Sequence, residues 1–357
     1  MKKALFLRHM AIGDLVFILP FVQEFLKAEP SYSPELLTDI DLFKPGLFHK
    51  IHLFRNLNSS LPEFEYEKLF LFHYEDHPNL HIQDAYSLST GIRVQKQLLP
   101  FSFSSFSKLQ AKRYLFKFGH NGKKIISVQL ESASELRNYP LKKYYEFLNI
   151  LKKKHPEFSI LVFSSNPHTL DPEYVNFCGR IPDLNVLSYI LSLSSFFIGP
   201  DSGLLHIARA FSVPSIALFG PTLPELRLCG TSNIRLPLHP SIDCFGCYHE
   251  QSKGKEEMHL CQKGRRACLL DLEPELIYKE FIKLLEGKED LNLLERMQRY
   301  EIYKEKYLSD KDPEEERVRL HELYLKRIEI FFQNKYIQSK RNRIREELLN
   351  LKRIIFL

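Results

Sequence analysis

Four groups of residues in this sequence have types and spacings that could do chemistry. The first is Gly13-Asp14. A glycine lets the backbone turn sharply, and a carboxylate beside it could serve as a general base. Taken alone, Asp14 reads better as the cap of a helix that starts at Leu15, a role worth ~1 kcal/mol. The second group is Gly199-Pro200-Asp201-Ser202-Gly203-Leu204-Leu205-His206. Here an apolar run, a Pro-Asp turn and a Ser-Gly helix start follow one another directly. Backbone N–H groups at Ser202 and Gly203 would point at an anion, and the helix dipole would favour a diphosphate. In this group the functional reading is the stronger one.

Two polar loops form the third group. Gly220-Pro221-Thr222 follows the apolar run Ser215 to Phe219, and Glu131-Ser132-Ala133-Ser134-Glu135-Leu136-Arg137 follows the run Ile125 to Val128. They supply the hydroxyls of Thr222 and Ser132, and the Arg137 guanidinium could neutralise a phosphate. The fourth group is Cys244-x2-Cys247-x13-Cys261-x6-Cys268. That spacing suits metal ligands, and four thiolates suit a tetrahedral Zn or Fe site. Cys178 and Cys229 have no partner in the pattern and read as core or surface thiols.

These groups need elements to position them. Leu5-Phe6-Leu7 reads as a strand, residues 11–14 as a turn, and Leu15 to Lys27 as a helix. Further strand-like runs stand at Ile51 to Phe54 and Leu69 to Phe72, and Gln83 to Ser89 reads as a short helix closed by Gly91. In the second half, apolar runs at Ile125 to Val128, Ile160 to Phe163, Phe196 to Ile198 and Ser215 to Phe219 alternate with helical patterns. Such runs are strands buried on both faces of a parallel sheet. Parallel sheets bind ligands beyond the carboxyl ends of their strands, which is where the second and third groups stand.

A chain of 357 residues corresponds to about two domains and an appendage. We place a domain over residues 1–122, a second over 123–287 carrying the cysteine insertion 244–268, and a charged helical extension over 288–357. The end of that extension carries Lys335, Lys340, Arg341, Arg343 and Arg345 among apolar residues. It reads as a solvated or packed helix before it reads as a basic amphipathic one. The formal charge of +6 permits phosphate-bearing partners without demanding nucleic acid. Arg8, His9 and Asp14 interrupt the first apolar run, so no signal-peptide core is expected there, and six cysteines fit a reducing compartment. The expected location is cytoplasmic. Neither G-x-G-x-x-G nor G-x-x-x-x-G-K-[ST] occurs, which argues against a dinucleotide dehydrogenase or a P-loop enzyme.

Together the motifs resemble glycosyltransferase family 9, the ADP-heptose:lipopolysaccharide heptosyltransferases. Residues 8–14 with Pro20 look like the family's R-x-x-x-x-GD followed by P. Tyr139-Pro140 stands where the family has Trp-Pro. Residues 199–206 resemble its G-x-D-[ST]-G-x-x-H, and residues 218–222 its closing turn. The likeness covers about Lys2 to Pro30 and Lys124 to Leu272. It implies an α/β GT-B architecture, two Rossmann-like domains facing across a cleft, plus the C-terminal helical extension. It also implies an inverting transfer from an ADP-sugar to a lipopolysaccharide core or other surface-glycan acceptor. Asp14 would then be the catalytic base and Asp201 the sugar-contacting acid. Ser202, Gly203, Arg137, Ser132 and Thr222 would meet the diphosphate, and His206 would touch the donor or support its loop. No catalytic metal is implied.

The chain reads Ser164-Ser165-Asn166-Pro167 where the family often has an acid for the ribose. Similar cysteine clusters occur in iron-containing heptosyltransferases that modify autotransporter proteins, so a protein acceptor is an alternative and the metal would be structural. A different alternative is a four-cysteine metal module that binds nucleic acid. The partners expected are a nucleotide sugar, a glycolipid or glycan acceptor, further copies of the chain, and the inner face of the cytoplasmic membrane touched peripherally. Nucleic acid is not expected.

Overall fold

The computed structural model describes residues 2–9, 11–42, 47–53, 66–181, 183–238, 242, 244–247, 261, 263–309 and 311–335. Contacts divide the chain into two compact units, Met1–Gln97 with Lys304–Leu357, and Leu98–Tyr303. The joins fall at 97/98 and 303/304, where the sequence suggested 122/123 and 287/288.

The first unit is built on β1 (Lys2–Leu7), α1 (Ile12–Val16), α2 (Leu19–Ala28), β2 (Tyr32–Thr38), β3 (Lys50–Leu53), β4 (Lys68–Leu71) and α3 (Ile82–Thr90). Its four strands are parallel in the order β3-β2-β1-β4. One side of the core is an aromatic cluster in which the rings of Phe25, Phe70 and Phe72 surround Phe6 at 5.0 to 6.1 Å. The second strand was not anticipated. Pro34 and Glu35 make its sequence look like a turn, because proline cannot donate to a ladder and a carboxylate seldom enters a core. The fold answers both objections. Pro34 still accepts from the His49 N–H at 2.8 Å. Glu35 is satisfied inside the sheet by Tyr66 at 2.8 Å, His52 at 2.6 Å and Lys3 at 3.2 Å.

The second unit contains α4 (Ser105–Lys117), β5 (Lys124–Gln129), α5 (Leu141–Lys154), β6 (Phe158–Phe163), β7 (Val175–Asn176), α6 (Leu184–Ser192), β8 (Phe196–Pro200), α7 (Gly203–Ala210), β9 (Ser215–Leu218), β10 (Ile234–Arg235), α8 (Ala267–Leu270), α9 (Pro274–Leu285) and most of α10 (Leu291–Ser309). Six parallel strands run in the order β10-β9-β8-β5-β6-β7. The four long strands lie where the apolar runs put them. The two-residue edge strands β7 and β10 carry too short a signal to be read. Ile126, Val128, Ile160, Val162, Ile198 and Ile216 fill one face of the sheet, against Phe147 and Leu151 of α5 and Ile277 and Phe281 of α9.

The last described helix, α11 (Pro313–Lys335), belongs to the first unit. The His321 ring donates from Nε2 to the Ser89 carbonyl at 2.6 Å, and Glu316 lies 2.7 Å from His77 Nε2. The third segment expected at 288–357 is therefore shared between the units. Its basic end, 336–357, lies outside the described residues.

Candidate functional site

In the first unit the chain leaves the end of β1 at Leu7 and enters α1 through Ala11, whose φ of +61° places it in the left-handed region. A side chain there costs about 1–2 kcal/mol, so the surrounding contacts must hold the turn. Asp14 on α1 is 6% exposed, and its carboxylate takes a hydrogen bond from Arg8. The guanidinium of Arg8 is also buried. It donates to the Phe72 carbonyl at 2.9 Å and to both oxygens of Glu75 at 2.7 and 3.2 Å. Tyr74 and Tyr86 pack 4.9 and 5.9 Å from it.

Glu75 follows the end of β4 and places Oε2 2.9 Å from His73 Nδ1, while Asp76 bonds the other nitrogen of that ring. Burial works against charge on both groups. Even so, Arg8 and His73 hold the Glu75 carboxyl well below the usual carboxylate range. Burial would also lower the His73 pKa, yet Asp76 and Glu75 outweigh it and raise it. Three carboxylates, Asp14, Glu75 and Asp76, thus share Arg8 and the His73 ring as partners. Tyr324 of α11 closes one side: its hydroxyl accepts the His9 backbone N–H at 3.1 Å and lies 3.0 Å from His9 Nδ1.

In the second unit four loops converge at the carboxyl ends of β5, β6, β8 and β9. Asp201 follows β8 and is 2% exposed. Arg137 donates from Nη1 to its carbonyl at 2.9 Å, with the carboxylate 3.5 Å away. The Thr222 hydroxyl donates to Asp201 Oδ2 at 2.9 Å, and His206 Nε2 lies 3.5 Å from Oδ1. Burial opposes ionisation, but the His206 contact and the charges of Arg137, His206 and Arg227 hold this carboxyl well below its ordinary value.

Ser202 precedes α7 with no side-chain cap; its hydroxyl donates instead to Gln129 Oε1 at 2.6 Å. First-turn N–H groups of a helix have no intrahelical acceptor, so the Gly203 end of α7 can take an anion. Gly199 is needed beneath it: a Cβ would lie 3.0 Å from the Gln129 side chain. Arg137, Asp201, Ser202, Gly203, His206 and Thr222 are thus gathered by one sheet edge. Ser132 sits on the same edge, where its hydroxyl serves its own loop, bonding the Ser134 carbonyl and Asn138 Oδ1 at 2.9 Å each.

Sequence reasoning passed over several residues of these clusters. Glu75 and Asp76 stand just after β4, a position where the strand-end rule could have found them. Arg8 lies inside the quoted motif without having been given a role. Tyr324 gave no sequence signal. Glu131 places a carboxylate at the Ser164-Ser165-Asn166 loop. It accepts from the Ser164 hydroxyl at 2.5 Å and the Asn166 amide at 3.0 Å, and it lies 3.4 Å from His168 Nε2. Burial would raise its pKa, but these three partners lower it.

The cysteine motif lies against the Gly220 loop. Gly246 donates its N–H to the Gly220 carbonyl at 2.9 Å, and Cys268 Sγ would lie 2.8 Å from a Cβ at Gly220. Burial, then the neighbouring Cys247, Cys244 and Cys261, push the Cys268 thiol up to about 11. Cys268 thus has the other three cysteines of the motif as neighbours, and thiolates are soft donors of the kind that Zn or Fe takes. Among the described residues, however, no group of three or more His, Cys, Asp or Glu is already arranged to hold a metal ion.

The sequence profile of glycosyltransferase family 9 (heptosyltransferase) matches residues 83–264, half of the chain. Lipooligosaccharide heptosyltransferase 2 of Campylobacter jejuni is 26% identical over 110 residues, 30% of this chain and 31% of that protein. The chain thus matches about a third of the length of its curated relatives. Among solved structures, the iron-containing dodecameric glycosyltransferase TibC of enterotoxigenic Escherichia coli superposes with a TM-score of 0.60 at 14% identity, over 80% of this chain and 78% of that one. The ADP-heptose lipopolysaccharide heptosyltransferase II of E. coli gives 0.59 at 14% identity, over 80% and 98%. At such identities the likeness is one of fold, and it assigns the α/β GT-B class.

Proposed function

The chain belongs to glycosyltransferase family 9, and on that premise we propose that it is an inverting transferase. It moves heptose, or a related sugar, from an ADP-sugar to a lipopolysaccharide core or other surface-glycan acceptor. The observation that carries the reading is the Asp201 cluster: a helix start, a guanidinium and an imidazole brought to one strand end, where positive charge outweighs a single carboxylate. That balance suits a leaving diphosphate.

In this mechanism Asp14 takes the proton of the acceptor hydroxyl as its oxygen bonds to the anomeric carbon. The bond from that carbon to the diphosphate oxygen breaks, and ADP departs from the opposite face. The Ser202 and Gly203 amides, with Arg137, meet the charge that builds on the diphosphate. Asp201 orients the sugar, and Thr222, His206 and Arg137 fix Asp201. Ser132 braces its loop and turns to the phosphates only by exchanging its present acceptors. Glu131 is the acid we assign to the ribose hydroxyls, in keeping with the place of acids in nucleotide-binding sheets. Relatives support the donor: a TibC structure holds ADP-D-beta-D-heptose, and the E. coli enzyme is named for ADP-heptose.

The gathered cysteines support a structural Zn or Fe held by Cys244, Cys247, Cys261 and Cys268; TibC is iron-containing. Such a metal would tie the two ends of the insertion together beside the Gly220 loop. TibC is also dodecameric, so a homo-oligomer belongs to the proposal, as does a cytoplasmic protein in peripheral contact with the inner membrane.

Melting the protein in the presence of ADP, GDP, UDP and CDP tests the donor. A ligand at a hundredfold its Kd adds about 2.7 kcal/mol of stability. A rise confined to ADP is expected; equal rises with all four, or none, would overturn the assignment.

A further inference from the structure

Helix α4 of the second unit has two faces of opposite character. Ser107, Ala111 and Leu115 are buried, and the helix packs on α6. The other face holds Phe106, Leu109 and Phe116, which are 64%, 49% and 86% exposed. Positions 106, 109, 113 and 116 follow the spacing of a single helical stripe. Arg113 therefore lies within the apolar stripe, with Lys112 and Lys117 along its borders and Lys108 beyond. All four cations are exposed, and none is paired with a carboxylate among the described residues. The helix has no acidic residue. Between Asp84 and Glu131 the sequence holds eight Lys or Arg and no Asp or Glu, more positive charge than the +6 of the whole chain.

Three large apolar side chains on one exposed stripe mark an interface rather than ordinary surface. The charges say what kind. A second copy seated on the same face would set these cations against themselves, an unfavourable arrangement for a self-complementary contact. An anionic bilayer satisfies both features at once: its acyl boundary takes the Phe and Leu side chains, and its phosphates take the Lys and Arg heads. We propose that the outward face of α4 is a membrane-docking face that lies flat on an anionic phospholipid surface. The helix is folded before it meets lipid, because Ser104 caps it by accepting the Ser107 N–H at 2.9 Å. Docking therefore need not bear the cost of ordering a helix. It lies on the surface and does not cross, since none of the described helices is long and apolar enough to span a membrane.

The chain contains no tryptophan, so Phe116→Trp places a single reporter on the proposed face. With the full chain and vesicles containing phosphatidylglycerol, its emission should shift to the blue and be quenched by brominated acyl chains. Vesicles of phosphatidylcholine alone should leave it unchanged. In co-sedimentation, the double variants Phe106→Ser/Phe116→Ser and Lys112→Glu/Arg113→Glu should each lose about tenfold or more in vesicle affinity, with the melting temperature unaltered. The proposal is overturned by unshifted emission on anionic vesicles, by undiminished binding of both variants, or by equal binding to neutral vesicles. It is overturned too if the wild type self-associates through this face, shown by a loss of oligomer mass in the Phe106→Ser/Phe116→Ser variant. None of these readings depends on sugar transfer, so they stand or fall apart from the transferase assignment.

Discussion

Each unit of this chain buries an aspartate beside an arginine at the carboxyl end of a parallel strand, yet the two pairs are wired in opposite senses. Arg8 commits both Nη groups, to Asp14, both oxygens of Glu75 and the Phe72 carbonyl. Carboxylates surround its guanidinium there. Around Asp201 the balance reverses, with Arg137, His206 and Arg227 acting on one carboxylate and a helix N-terminus beside it. The same residue pair thus stands among further carboxylates at one strand end and among further cations at the other. What separates them is the neighbours that complete each shell, which no local motif contains.

The largest effect should come from Asp14. Asp14→Ala is expected to lower turnover by about a thousandfold, the middle of the range for general-base loss, while the ADP-induced rise in melting temperature persists. A variant with the wild-type rate would remove the first cluster from the chemistry. Asp201→Asn should act on the other side of the comparison. It strands Arg137 and His206, and because Arg137 keeps part of its side chain in water, the cost should be about 2–4 kcal/mol, below the full range for a buried pair. Urea unfolding reads that loss, and the ADP response should weaken with it.

Glu75→Gln sharpens the contrast through pH. Glu75 has a lowered folded pKa, so its contribution is present above its unfolded value near 4.5 and lost as pH falls. His73 has a raised folded pKa, so its contribution is complete below its unfolded value near 6.5 and lost as pH rises through the folded value. The stability difference between wild type and variant should therefore peak between about pH 5 and 6, at about 1–2 kcal/mol given the partial exposure of Glu75. It should shrink towards pH 8 and towards pH 3. A difference that is flat from pH 3 to 8 would contradict the cluster described here. The smallest effect should be that of Tyr324→Phe, which removes the hydroxyl that meets both the His9 N–H and His9 Nδ1 and should cost about 1 kcal/mol. A thermal melt detects it, and no effect would mean that α11 does not brace the Asp14 turn.

Much of the frame could be read in advance. Apolar runs buried on both faces have one structural use, so β5, β6, β8 and β9 announced themselves, and glycine-bearing turns behind them marked the loops that gather at the strand ends. The stretches that were missed have mixed signals. β2 hides behind Pro34 and Glu35, because its compensation comes from His49, Tyr66, His52 and Lys3, which are scattered widely along the chain. Helix α4 was legible only as a Lys-rich helix; which of its residues face water depended on its packing against α6.

The sequence by itself determined the fold class, and it marked the turn at residues 199–206, the spacing of the four cysteines and the acid after β1. All of these are encoded by neighbours a few residues apart. Tertiary structure decided the charge balance around each aspartate, the arrival of Glu131 at the loop after β6, and the place of Tyr324 over the Asp14 turn. Electrostatic interaction depends on distance in space and on burial, and a chain brings Arg8 to Glu75, or Tyr324 to His9, only once its sheets have formed.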